Sequence, residues 1–128
     1  MTPSTTPTEL GGLVNADEAL VRRGRLVTAV LRVDVGPDAW FLHIEDGRVV
    51  ATDPVPDEEV RLRLTASREE WEAFWEPHPR PLHHDLMALM RRQVLTVTGD
   101  IHLFMSQLRY VKDVLEKPRL RTTEGSAA

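Results

Sequence analysis

The strongest constraint on this chain is a change of hydrophobic period at Ser67. From Arg25 to Ala66 apolar residues recur at every second position; beyond Ser67 they recur at helical spacing. Val27, Ala29, Leu31, Val33 and Val35 alternate with Thr28, Arg32 and Asp34, which predicts a strand with one buried face. Gly36-Pro37-Asp38 breaks it. Trp40, Leu42 and Ile44 alternate with Phe41, His43 and Glu45 in a second strand. Asp46-Gly47 is a favoured hairpin dipeptide, because a type I′ turn needs positive φ at both central positions. Arg48–Thr52 forms the third strand. After the Asp53–Asp57 loop, Val60, Leu62, Leu64 and Ala66 form the fourth. Hairpin connections in succession imply antiparallel pairing.

Ser67-Arg68-Glu69-Glu70 is a capping box, in which the Ser hydroxyl accepts from the N3 amide and Glu70 reaches back to the cap. Trp71, Phe74 and Trp75 follow at i, i+3, i+4, giving the helix an aromatic face. Pro77, Pro79 and Pro81 make a stiff extended connector. A second helix is predicted over 82–92, a fifth strand over 94–98, and a last helix from a cap at Asp100 to Lys117. Near the start, Asn15–Arg23 reads as a short helix capped by Asn15. Residues 1–12 read as a flexible polar lead, 13–118 as one domain and 119–128 as a flexible tail. The fold class is therefore α+β: a five-stranded, mostly antiparallel sheet with helices on one face.

Composition narrows the chemistry. The chain has no cysteine, which excludes a disulfide framework, thiol catalysis and a cysteine zinc site. Sixteen basic residues against twenty acidic ones favour neither nucleic acid nor an anionic membrane. No apolar run reaches the length of a membrane span, and no signal peptide is legible, so a cytoplasmic protein without stable membrane insertion is expected. Fourteen of the sixteen basic residues are Arg, a bias typical of GC-rich bacterial genomes. No phosphate loop, dinucleotide fingerprint, nucleophile elbow or paired-carboxylate site is present, so no cofactor is expected.

The order of elements resembles the sterol carrier protein, or non-specific lipid-transfer, family. The residues that carry the resemblance are Trp40-Phe41-Leu42-His43-Ile44-Glu45-Asp46-Gly47, the Val60–Ala66 strand, Ser67-Arg68-Glu69-Glu70-Trp71 at the helix start, and Leu95-Thr96-Val97-Thr98-Gly99-Asp100. It spans about residues 24–117. The resemblance implies a sheet whose helices cover a hydrophobic tunnel for acyl chains, sterols or similar molecules. The chain departs from the family between the aromatic helix and the next one. Where the family usually has a Gly-rich turn, this chain has Trp75-Glu76-Pro77-His78-Pro79-Arg80-Pro81.

These features nominate Trp71, Phe74, Trp75, Leu86, Met87, Met90, Phe104, Met105 and Leu108 as ligand-contacting residues. Aromatic and Met side chains at helical spacing serve a core equally well. His83, His84 and His102 are candidates for acid–base work, because histidine titrates near neutrality. Adjacent His83 and His84 diverge by about 100° on a helix and form no metal site, so no metal is expected. Three readings stay open. The leading one is a binder of an apolar or amphipathic small molecule: a lipid, acyl chain, sterol, polyketide or terpenoid. The second is a cofactor-free cyclase or isomerase in secondary metabolism that uses a pocket histidine. The third is a ligand-free accessory module, either a homodimer or a companion of a partner enzyme, that associates through exposed Trp40 and Trp75.

Overall fold

The computed structural model describes residues 6–119. Its elements run α1 (Pro7–Ala16), α2 (Glu18–Arg23), β1 (Ala29–Val35), β2 (Asp38–Glu45), β3 (Arg48–Ala51), a 3-10 turn (Asp57–Glu59), β4 (Leu62–Ala66), α3 (Arg68–Phe74), α4 (Leu86–Arg91), β5 (Thr96–Gly99), α5 (Ile101–Ser106) and α6 (Leu108–Leu115). The five strands form one sheet in the order β3-β2-β1-β4-β5. Three of the four pairings are antiparallel. The β1–β4 pair is parallel, with Leu31 beside Leu62 and Val33 beside Leu64.

That parallel pair corrects the expectation of an unbroken hairpin succession. The β3–β4 connection does not turn back as a hairpin; it crosses the sheet and delivers β4 alongside β1. It is pinned to the sheet on the way. His43 Nε2 lies 2.7 Å from the Asp53 carbonyl oxygen, and Arg32 Nη1 donates to Asp57 at 3.2 Å. Asp46 and Gly47 both have positive φ, 50° and 85°, as the β2–β3 turn requires.

Cross-strand register sorts the residues onto two faces. Leu31, Val33, Val35, Leu42, Ile44, Leu62 and Leu64 share the inner face and join one core with Trp71, Phe74, Leu86, Phe104, Val111 and Val114. Arg32, Asp34, Phe41, Arg63, Thr65 and Thr98 share the outer face.

The N-terminal reading needs correction. From Pro7 onward the expected flexible lead is helical, and Leu10 and Val14 are fully buried in the core. The Thr6 hydroxyl caps α1 by accepting from the Glu9 amide at 3.2 Å, and Pro7 occupies the first turn. Gly11 and Gly12 obscured this helix in the sequence. Gly11 lets α1 lie close against β3: a Cβ there would sit 2.9 Å from Val49 Cγ1. Asn15 is not a helix cap. Its amide donates to the Val49 carbonyl and accepts from the Val49 N–H, each at 2.8 Å. It thus stands in for a further strand at the β3 edge. Asp17 caps α2 instead.

Downstream, α4 begins only at Leu86, behind an Asp85 cap. Leu82 is exposed and left-handed, with φ 71°. The predicted last helix is broken at Gln107. The Ser106 hydroxyl bonds back to the Leu103 carbonyl at 3.3 Å just before the break, in competition with the helical ladder. Of the expected tail, residues 120–128 lie outside the described residues.

Candidate functional site

Alternation in β2 places Trp40 on the inner face, and the capped α3 places Trp71 and Trp75 above it. Trp40 stacks on Trp75 with centroids 5.4 Å apart and planes 12° apart. Trp75 stacks on Trp71 at 5.8 Å and 22°. Phe74 meets Trp71 edge-on. A buried indole N–H needs an acceptor. Trp71 Nε1 donates to the Asp34 carbonyl at 2.9 Å, and Trp75 Nε1 to the Leu115 carbonyl at 2.8 Å. The three Trp residues therefore form a wall tied to β1 at one end and α6 at the other.

Trp40 and Trp75 are 7% and 2% exposed. They spend their faces on each other, which removes the exposed aromatic surface expected to support self-association.

The nominated ligand residues do not all lie together. Trp71, Phe74, Trp75, Leu86 and Phe104 belong to the buried core, and Met90 and Leu108 pack against it. Met87 is half-buried. Met105 is 52% exposed, so it does not join Met90 against the core. It lies on the outward side of the short α5, ahead of the Gln107 break.

The histidines separate too. His78, His84 and His102 are not enclosed by the core, and His84 Nε2 lies 3.2 Å from Asp85 of its own segment. His83 is half-buried at the end of the Pro-rich connector. Its Nδ1 approaches Glu70 Oε2 at 3.3 Å without reaching hydrogen-bond geometry. Glu70 also accepts a two-pronged contact from Arg92 Nη1 and Nη2, each at 3.0 Å. Arg92 holds the Glu70 carboxyl below its usual range; burial opposes this, and His83 adds to it. Glu70 thus does not reach back to the Ser67 cap as expected; its carboxyl clamps the connector to α4 instead. Arg92 further reaches the Leu82 carbonyl at 3.4 Å, and Arg119 the His84 carbonyl at 3.3 Å. Among the described residues no group of three His, Asp or Glu side chains is placed to hold a metal.

Two features at α6 were not nominated from the sequence. Tyr110 is buried in α6 and donates to the Gly47 carbonyl at 2.7 Å; burial pushes its hydroxyl far above the usual pKa. Its ring passes so close to Gly24 that a Cβ there would lie 2.1 Å away. A recess of about 320 Å³ opens between α2 and α6, with Leu20 and Pro77 in its wall. Asp17 and Lys117 pair across it at 2.7 Å, and Arg23 pairs with Asp113. The Lys117 hydrogen bond holds the Asp17 carboxyl below its usual range. The recess is largely lined by charged side chains and is separate from the Trp wall.

A five-stranded sheet with one parallel pair, backed by helices and an aromatic helix after β4, is the sterol-carrier fold. The structure is similar to a crystal structure of sterol carrier protein 2, with a TM-score of 0.69 and 16% identity over 88% of this chain and 92% of that one. It is equally similar (TM-score 0.69, 17% identity) to a conserved hypothetical protein of Thermus thermophilus whose description suggests a sterol carrier protein. That alignment covers 93% of this chain and 87% of that one. The UbiJ-SCP2 ubiquinone synthesis protein follows at a TM-score of 0.60 and 20% identity, covering 88% and 87%. No family model matches the chain, and no curated protein matches it in sequence. Among the described residues no helix is long and apolar enough to cross a membrane.

Proposed function

We propose that the protein binds an apolar or amphipathic small molecule between the inner face of the sheet and the helices. The observation that carries this reading is the wall of Trp40, Trp75 and Trp71, set between β2 and α6 in a sterol-carrier fold. Structural relatives described as a sterol carrier and as a ubiquinone synthesis protein are associated by name with apolar molecules, which supports the same ligand class here. Burying hydrocarbon yields about 25 cal/mol per Å², so a short acyl chain gains affinity without specific polar contacts.

The proposed contacts are Trp71, Trp75, Phe74, Leu86 and Met90. Entry is by way of the Pro77–Asp85 connector. Three features support that route: the connector forms no helix or strand, side chains from Arg92 and Arg119 hold it, and it includes the left-handed Leu82. Organic extraction of the purified protein followed by mass spectrometry tests the reading. A co-purifying lipid or polycyclic compound is expected. A protein that releases none, and takes up none from a panel of acyl and polycyclic compounds, refutes it.

A further inference from the structure

The outer face of the sheet carries a feature that apolar-ligand binding does not use. Parallel register sets Arg32 of β1 directly beside Arg63 of β4. Asp34 lies between them, only 4% exposed. Arg32 Nε donates to its Oδ1 at 2.8 Å and Arg63 Nε to its Oδ2 at 2.6 Å, while the Thr65 hydroxyl donates to Oδ2 at 2.9 Å. Burial alone would raise the Asp34 pKa; these donors outweigh it and hold the carboxyl ionised below its usual range. Both guanidinium groups are thus anchored through Nε, which restricts where their terminal nitrogens go. The Arg32 guanidinium is held further by the Phe41 ring, whose centroid lies 5.4 Å from its Cζ.

Arg32 and Arg63 line a recess of about 170 Å³ whose other walls include Asp57, Val60, Thr98 and Gly99. Arg32 Nη1 already holds a carboxylate there, from Asp57, at 3.2 Å. Asp57 is itself highly exposed and makes no other ion pair among the described residues. Arg32 Nη2 and both Nη atoms of Arg63 make no hydrogen bond among the described residues.

We propose that this recess is a binding site for a carboxylate. A fixed guanidinium edge matches the two oxygens of a carboxylate, and charged donors of this kind form the stronger hydrogen bonds. Asp57 shows the pairing on one arm; the ligand takes the Arg63 arm beside it, at the wall that Thr98 shares. The local charge is balanced, with Arg32 and Arg63 against Asp34 and Asp57, which favours a monoanionic group over dianionic phosphate. The site lies on the opposite side of the sheet from the Trp wall and stands independently of the function proposed above.

The experiment is a titration of the ¹⁵N-labelled protein, following the Arg32 and Arg63 Nε–H signals and the Thr98 amide. Propionate, decanoate and inorganic phosphate serve as probes. Saturable shifts with propionate identify a small free monocarboxylic acid as the ligand class; saturation by decanoate alone identifies a fatty-acid head. Arg63→Lys keeps an ion pair with Asp34 but removes the planar fork, and weakens binding by about tenfold. Asp57→Asn removes a competing carboxylate and tightens it. Shifts that fail to saturate with either acid overturn the proposal. So do shifts unchanged by Arg63→Lys, or phosphate binding more tightly than both acids.

Discussion

The two faces of the sheet are built from neighbouring residues of the same strands, yet they are held by different physics. In β1, Val33 and Val35 face the helices while Arg32 and Asp34 face away. The inner face is closed by ring stacking and apolar contact, with its few buried polar groups, the Trp71 and Trp75 indole N–H and the Tyr110 hydroxyl, each bonded to a backbone carbonyl. The outer face is organised around one buried carboxylate and the crossover that drapes over it. Contact by dispersion and hydrophobic burial is non-directional and tolerates exchange of one apolar group for another. A hydrogen-bonded charge cluster is directional and tolerates little. The inner face therefore suits an apolar guest of loose specificity, and the outer face suits a small group of defined geometry.

Substitutions separate the two. Trp71→Ala should cost the most, about 4 kcal/mol by denaturant unfolding, because it opens a cavity, removes two ring contacts and leaves the Asp34 carbonyl without its donor. Gly24→Ala should follow at about 3 kcal/mol, since Tyr110 has no room to retreat without giving up its bond to Gly47. Asp34→Asn should cost about 2 kcal/mol, as Arg32 and Arg63 are partly solvated and recover some of the loss in water. Acid should act on the same cluster. Asp34 and Glu70 have carboxyls held below their usual range when folded, so both bind fewer protons than in the unfolded chain. Their stabilisation is complete above the ordinary carboxylate range and fades as pH falls through the lowered folded values. Asp34→Asn should flatten that acid limb in pH-dependent unfolding curves. Met105→Ser should change stability by less than about 0.5 kcal/mol, because the side chain faces solvent. A larger loss would place Met105 inside after all.

Alternation made the inner face readable in advance: Leu31 and Val33 of β1, Leu42 and Ile44 of β2, and Leu62 and Leu64 of β4 lie where their period puts them. The Ser67 hydroxyl cap and the Asp46-Gly47 turn were readable for the same reason, since their chemistry is local, whereas the Glu70 half of the capping box gave way to distant Arg92. Features set by distant partners were not. Asn15 is a local helix signal and a long-range edge cap at once, and only the approach of β3 decides between them. Gly11 lowers helix propensity locally, yet it is what allows α1 to touch Val49. The β3–β4 crossover contains no residue that announces a parallel pairing. The outer cluster stayed hidden because Arg32, Asp34 and Arg63 read as the polar half of two ordinary alternating strands. The Trp cluster was legible as a face, but its third member, Trp40, joins from a different element.

All three Trp residues of the chain belong to the inner wall, so intrinsic Trp fluorescence reports on that site alone. Titration with dodecanol, which has an alkyl chain and no carboxylate, tests the inner-face reading without engaging the outer recess. A saturable change in Trp emission at one ligand per chain, retained in Arg63→Lys, is the predicted result. An emission spectrum that stays constant up to the solubility limit of the alcohol would contradict binding between the sheet and the helices.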